Sequence, residues 1–317
     1  MIRRGRLACP ILSMSLLAAV ACGGPVGDEK TSIGQPTSSE TGVLTFGSVS
    51  LTPASEFETF RPFANYVASH LENVGIGRGR VVVVDSLSKM VEELDKGTVD
   101  VFIDSPFPVG FVWTRADLDV VLRRWKRGSD AYRSVIFTRA DSNVESLEDL
   151  TGRMIGFGAP YSTSSYLMPK AALASAGLNL VNYQDAAASI PSDRVGYVFS
   201  NDAENTMFWV LKRKVVAGAV NEDYFEELAG SRIDDLRIVH TTGAVPRNLV
   251  CVRSDLDLDV RSALVELLLG LDRDELGRSV LDNFEETRKF DRFPGGSEAY
   301  LAGIMELLPF VEEDLGQ

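Results

Sequence analysis

The chain predicts an α/β protein of two lobes around a cleft, each lobe a mostly parallel sheet flanked by helices. Two observations carry that expectation. From Val43 onward, apolar runs of strand length alternate with helical stretches, the order that builds a parallel sheet with helices on its faces. A second set of the same units starts at Tyr132, and 317 residues suffice for two domains of ~150 each.

Residues 43–47 form a short buried strand. Residues 56–71 place Phe57, Phe60, Ala64, Val67 and Leu71 on one helical face. Residues 80–85 contain four consecutive valines, the pattern of a fully buried strand. Residues 86–96 predict a helix with Met90, Val91 and Leu94 inward and Gly97 as its stop. Residues 99–103 supply the next strand. The second set runs through a strand at 132–139, a helical turn at 147–150, a strand at 153–157 and a helix at 162–176 stopped by Gly177. A helix at 202–214 and strands at 215–220, 236–241 and 248–253 follow, and 256–315 is mostly helical. One lobe then comprises 43–131 and 250–317, the other 132–249. In such sheets ligands bind beyond the carboxyl ends of the strands.

Ahead of the globular part, Arg3, Arg4 and Arg6 precede an apolar run over 7–20 and the small residues Ala19-Val20-Ala21. A basic start, a short apolar stretch and a small-residue cut site predict a secretory signal over 1–21. A membrane span would need ~20 apolar residues. Cys22, directly after the cut, fits a bacterial lipoprotein signal in which that cysteine is lipidated. Ala19-Val20-Ala21 equally suits ordinary signal peptidase at the same bond. Residues 22–42, rich in Gly, Ser, Thr and Pro, read as a flexible tether. The expected location is the outer face of the cytoplasmic membrane, with Cys22 as lipid anchor.

Net charge is −13, and removing the arginine-bearing leader makes it more acidic still. That excludes nucleic acid as a partner and leaves any anion site to local groups. Cys9, Cys22 and Cys251 offer no disulfide framework, and Cys251 reads as a core residue. His70 and His240 lack metal-ligand spacing, so neither a metal, nor a cofactor, nor a histidine-based catalytic triad is expected.

The sharpest motif is the run from Gly156 to Tyr166, in which a strand leads through a loop into Ser162-Thr163-Ser164-Ser165 at a helix start. Unpaired N–H groups, a positive dipole end and several hydroxyls suit a tetrahedral oxyanion, while a single hydroxyl would suffice for capping. Pro169 lies a turn inside, marking a kink or a later helix start. No G-x-x-x-x-G-K-[ST] or G-x-S-x-G motif accompanies it.

Tyr132-Arg133-Ser134-Val135-Ile136, the pair Asp141-Ser142, the run Ser146 to Arg153, the Ser-Thr-Ser helix start and the run Lys214 to Val220 occur in this order. Together they resemble the phosphate/phosphite/phosphonate substrate-binding proteins of ABC importers, the PhnD-like family, over roughly residues 43–255. The resemblance implies a type II periplasmic-binding-protein fold that closes on a small phosphorus oxyanion. It also implies delivery to a permease and ATPase complex, and no enzymatic activity. It puts Ser162, Thr163 and Ser164 on the oxyanion and Tyr132 at the hinge side. Asn201 stands where the family often has a histidine, and Asn221 follows a strand end near the ligand. Asp104-Ser105 replaces the more usual Gly-Pro after the third strand. Asp104 reads as a loop acid or helix cap, as a partner for a cationic group, or as an acceptor for a protonated oxyanion. Ser48, Ser50 and Thr52 would line the facing lobe or serve as turn residues. Trp125 would wall the cleft or cover the hinge. Arg133 and Lys170 are expected at the surface, and Glu312-Glu313-Asp314 as a solvated end. Two other classes stay open: a ligand-sensing accessory lipoprotein of the same fold, and a phosphoester hydrolase, against which the lack of histidine pairs counts.

Overall fold

The computed structural model describes residues 42–311 and Asp314. The signal segment 1–21, Cys22 and the tether up to Thr41 lie outside the described residues.

A first sheet begins with β1 (Gly42–Val49), α1 (Pro53–Ser69), β2 (Ile76–Val84), α2 (Leu87–Asp95), β3 (Val101–Asp104), α3 (Pro106–Trp113) and β4 (Leu118–Arg124). β1 pairs in parallel with β2 and β3. Pro53 opens α1, where its missing N–H is no loss. α1 buries Phe60, Phe63, Ala64 and Val67. It lies so close to β2 that a Cβ on Gly79 would sit 2.3 Å from the Ala64 carbonyl oxygen. Ser86 caps α2 by accepting from the Lys89 N–H. Two expectations change here. The four valines of 81–84 are half-buried, because β2 is an edge strand. Phe57 is 39% exposed, and the buried stripe of α1 runs through Phe63 instead.

The chain crosses through β5 (Ala131–Tyr132) into a second sheet that begins with β6 (Ser134–Arg139) and β7 (Met154–Phe157). A π-helical turn at Thr163–Leu167 leads into α4 (Met168–Ser175). β8 (Leu180–Asn182), β9 (Val195–Phe199), α5 (Ala203–Leu211), β10 (Ala217–Asn221), α6 (Glu222–Ala229) and β11 (Leu236–Thr241) complete the set. The helix expected over 162–176 is therefore split. The wide turn delays the α-helix to Met168, so Pro169 falls in its first turn, where no N–H is needed.

β12 (Val245–Pro246) brings the chain back, and β13 (Asn248–Arg253) inserts between β3 and β4. α7 (Leu258–Gly270), α8 (Glu275–Asn283), β14 (Phe290–Asp291) and α9 (Ser297–Met305) follow. The first sheet reads β14-β4-β13-β3-β1-β2, the second β11-β6-β10-β7-β9-β8. Both are mixed: β13 runs against β3 and β4, and β6 against β10 and β11. The strand that receives the chain from the other body enters from the opposite end, which fixes its reversed direction. The two crossings pair as an antiparallel ribbon, with Tyr132 opposite Val245. Phe107 and Val112 from the first body share one apolar cluster with Ile136, Phe157 and Tyr166 from the second.

At the far end of the chain, Asp314 accepts from Tyr166, Lys170 and Tyr197, the last at 2.5 Å. The expected solvated acid is thus held among aromatic rings. Lys170, expected at the surface, is 8% exposed, because this carboxylate gives its charge a buried partner.

Candidate functional site

A cavity of about 140 Å³ lies where the two bodies and the hinge ribbon meet. The first body lines it with Asp104, Ser105, Lys126 and Asn248, the second with Ser162, Thr163, Ser164, Asn221 and Tyr224, and the crossings with Tyr132 and Arg247. Its size is far below the roughly 300–1,000 Å³ of sites for drug-sized ligands. It suits a small solute rather than a drug-sized one.

Three helix starts converge on it. Ser105 is the N-cap residue of α3, Ser162 caps the π-helical turn and Asn221 caps α6. The starts turn the positive ends of their dipoles toward the space between them; α3 adds no free N–H, because Pro106 and Pro108 have none and the Phe107 N–H is used by Thr163, and at α6 the Glu222 N–H goes to the Arg133 carbonyl. Ser162 Oγ accepts from the Ser165 N–H at 3.0 Å. The first N–H that the wide turn uses internally is that of Leu167, on the Ser162 carbonyl. The N–H groups of Thr163 and Ser164 are left over. Asn221 Oδ1 accepts from the Asp223 N–H at 2.8 Å, and its amide nitrogen has no hydrogen bond among the described residues.

Thr163 ties the bodies together. The Phe107 N–H donates to Thr163 Oγ1 at 2.9 Å, and that hydroxyl donates to Ser105 Oγ at 3.0 Å. Ser105 Oγ in turn donates to Asp104 Oδ1 at 3.2 Å, and the Ser105 N–H reaches the same oxygen at 2.6 Å. A second tie runs from the Leu51 N–H to the Tyr161 hydroxyl at 2.8 Å. The cleft is closed, and the Thr163 hydroxyl serves the closure.

Charge around the cavity is mostly paired. Lys126 meets Glu285 at 2.6 Å, and Arg247, 3% exposed, meets Asp223 at 2.7 Å while stacking on the Tyr132 ring at 4.8 Å. Burial would raise the Glu285 carboxyl, but Lys126 and Arg124 outweigh it and hold Glu285 down at about 2. Asp104 lacks such a partner. Burial pushes it up to about 7, Glu56 adds to the rise, and the Ser105 N–H and Lys126 oppose it. Burial likewise takes the Tyr132 hydroxyl up to about 12.

Of the residues singled out from sequence, Ser162, Thr163, Ser164, Tyr132, Asp104, Ser105 and Asn221 line this cavity. Asn201 and Ser50 do not. Asn201 is exposed in a left-handed turn (φ 77°), and it is Ser200 that faces inward, donating to the Phe157 carbonyl at 2.8 Å. Ser50 is buried in a turn, accepting from the Thr52 N–H at 3.1 Å. Trp125 lies at the crossover beneath Lys289, 4.2 Å from its ring centre. Lys126, Tyr224, Arg247 and Asn248 were not singled out. Lys126 and Arg247 sit on the two crossings, and crossings of a two-lobed fold converge at the cleft floor. Among the described residues no cluster of His, Cys, Asp and Glu could hold a metal ion, and no helix is long and apolar enough to cross a membrane.

Residues 46–294 match the family model of the periplasmic substrate-binding protein of phosphonate ABC transporters. A Xanthomonas citri protein solved with bound chloride superimposes with TM-score 0.82 at 26% identity, over 86% of this chain and 99% of that one. The same protein solved with ATP gives TM-score 0.80 at 26% identity, over 86% and 98%. PhnD1 from Prochlorococcus marinus, in complex with methylphosphonate, gives TM-score 0.65 at 19% identity, over 86% and 98%, a likeness of fold. The architecture is that of type II periplasmic binding proteins, as expected from the two α/β sets.

Proposed function

The chain belongs to the family of periplasmic substrate-binding proteins of phosphonate ABC transporters, and from that premise we propose that its cavity holds a small phosphorus oxyanion: a phosphonate, phosphite or phosphate. Members of this family bind a small solute and serve a permease and ATPase, and they are not enzymes.

The observation that carries the proposal is the convergence of three helix starts on a cavity of about 140 Å³. Free N–H groups of Thr163 and Ser164, the Ser164 hydroxyl and the Asn221 amide offer donors from several directions, which suits a tetrahedral anion. Lys126, which shares Glu285 with Arg124, and Arg247, which pairs with Asp223, add positive charge to these donors. The first sheet with its helices acts as one lobe and the second sheet with its helices as the other, rotating about the β5/β12 ribbon. Closure joins Thr163 to Ser105 over the ligand and presents a new surface to the permease. Cys22, lipidated after cleavage at Ala21, anchors the protein through the 22–42 tether to the outer face of the membrane.

The test is calorimetric titration of a chain starting after Cys22 with phosphate, phosphite, methylphosphonate and 2-aminoethylphosphonate, with sulfate as control. Micromolar or tighter binding of one phosphorus compound, weakened at least tenfold by Ser164→Ala (about 1.4 kcal/mol), is the expected result. Absence of binding by all four would overturn the ligand class.

A further inference from the structure

We propose that an apolar groove behind the hinge ribbon is the contact that holds the empty protein open, because its two walls belong to different bodies and come together when the cleft parts. The inference rests on the domain-closure reading above and names what opposes closure.

The groove measures about 660 Å³ and shares no lining residue with the oxyanion cavity. The β5/β12 ribbon separates the two spaces. Tyr132 and Arg247 line the cavity, whereas their chain neighbours Ala131 and Pro246 line the groove. Successive residues of a strand point to opposite faces, so the groove lies behind the ribbon as seen from the cavity. One wall is α4, with Ala171, Ala172 and Ser175, and the other is α9, with Ala299, Gly303 and Leu307. α4 is fixed to the second body, where the Lys170 ammonium donates to the Tyr197 hydroxyl of β9 at 3.3 Å. α9 is fixed to the first, packed so closely that a Cβ on Gly110 of α3 would sit 3.0 Å from the Ile304 side chain. Beyond α9, Asp314 holds Tyr166 and Lys170, which joins the walls past the C-terminal end of α9 and leaves the rest of the groove free to narrow.

Two bodies turning about a ribbon move as a lever. As their faces part in the cleft, the faces behind the ribbon approach. The groove stands open in this structure because the cleft is closed. Its walls have room to meet: Ala299 and Gly303 are exposed, and a Cβ on Gly303 would find nothing within 4 Å. Side chains this small let two helices pack at short interaxial distance. Apolar surface that water covers in the closed form is removed from water in the open form, so the groove drives opening. Ligand binding has to outweigh that contact before the cleft shuts. The apparent affinity is therefore lowered by the small closed fraction of the free protein.

Gly303→Trp places a ring where the closed form has space and the open form has none. Small-angle scattering of the free variant is expected to give a smaller radius of gyration than the free wild type, close to that of the ligand-saturated protein. Calorimetry with methylphosphonate is expected to show affinity raised at least ~10-fold. Ser175→Trp fills the groove from the opposite wall and is expected to act in the same direction, so a folding defect in one variant leaves the other to decide. Ala302→Trp, exposed on α9 but outside the groove, is the control and is expected to change neither readout. An unchanged radius of gyration in the free groove variants, or an affinity within ~3-fold of wild type in both, would overturn the inference. The scattering comparison needs no ligand. If no phosphorus oxyanion binds, the functional reading falls, and the scattering still decides whether the groove holds the protein open.

Discussion

Thr163→Val removes one hydroxyl and keeps the branched shape of the side chain. In the closed cleft that hydroxyl accepts from the Phe107 N–H and donates to Ser105 Oγ. Phe107 is fully buried, so its N–H would lose its acceptor without gaining water. A buried donor left unpaired costs ~1–3 kcal/mol, and the lost bond to Ser105 a further ~0.5–1.5 kcal/mol. In an open cleft both groups face water, so the penalty falls on the closed form alone. A total of about 2–4 kcal/mol disfavours closing by ~30- to ~1,000-fold. Apparent affinity scales with the closed fraction, so the dissociation constant rises by the full factor if the free protein is mostly open, and by less if it is mostly closed. Calorimetry gives the affinity, and small-angle scattering of the ligand-saturated protein reports whether closure survives. A double-mutant cycle with Ser105→Ala should return a coupling of at least ~0.5 kcal/mol. An affinity within ~3-fold of wild type, with strictly additive effects in the cycle, would refute the latch.

Glu285→Gln should destabilise the fold by about 3–5 kcal/mol in chemical denaturation at neutral pH, because Arg124 and Lys126 lose their shared carboxylate. The folded Glu285 carboxyl lies at about 2 against an ordinary 4.5, so its contribution is complete above about 4.5 and is lost as pH falls toward 2. The variant should therefore show a shallower loss of stability across that window, and an unchanged acid limb would contradict the assignment. Gly79→Ala should cost about 2 kcal/mol or more, read as a lower melting temperature, since its Cβ would meet backbone of α1 rather than a side chain that can turn aside. Asp314→Asn should lower stability by about 2–4 kcal/mol, because Lys170 then keeps a buried charge without a carboxylate; an unchanged melting temperature would show that the Asp314 contact carries no load.

The parts of this molecule that depend on local pattern were legible. Most strands and helices read from apolar periodicity between Val43 and Arg253 are present, and β11 and β13 begin and end where the pattern does, but α3, β4, β8, β9 and α6 were not read from it. The hydroxyl run at Ser162 to Ser165 announces its helix start because capping is a property of neighbouring residues. Asp104 and Ser105 were visible for the same reason, at the end of a strand. What pattern does not carry is placement across the fold. The four valines of β2 look the same on an edge as in the centre of a sheet. Arg247 and Lys126 are brought together by two crossings separated by more than a hundred residues, and no local signal marks that meeting. Asn201 was placed by resemblance, and the turn after β9 directs Ser200 rather than Asn201 inward. Asp314 looked like a solvated end because its partners Tyr166, Lys170 and Tyr197 lie in another part of the chain.

Cys251 is fully enclosed in β13, and burial pushes its thiol well above the ordinary cysteine range. A thiol that neither ionises nor meets solvent does not react with alkylating dyes. In a chain that starts at Gly23 it is also the sole cysteine. The protein therefore comes with a silent background for site-specific labelling. Cysteines introduced at the exposed positions Glu58, early in α1, and Glu204, early in α5, would each take a fluorophore without first deleting a native residue. Energy transfer between the two dyes would then follow the opening and closing of single molecules in real time, turning this binding protein into its own optical reporter.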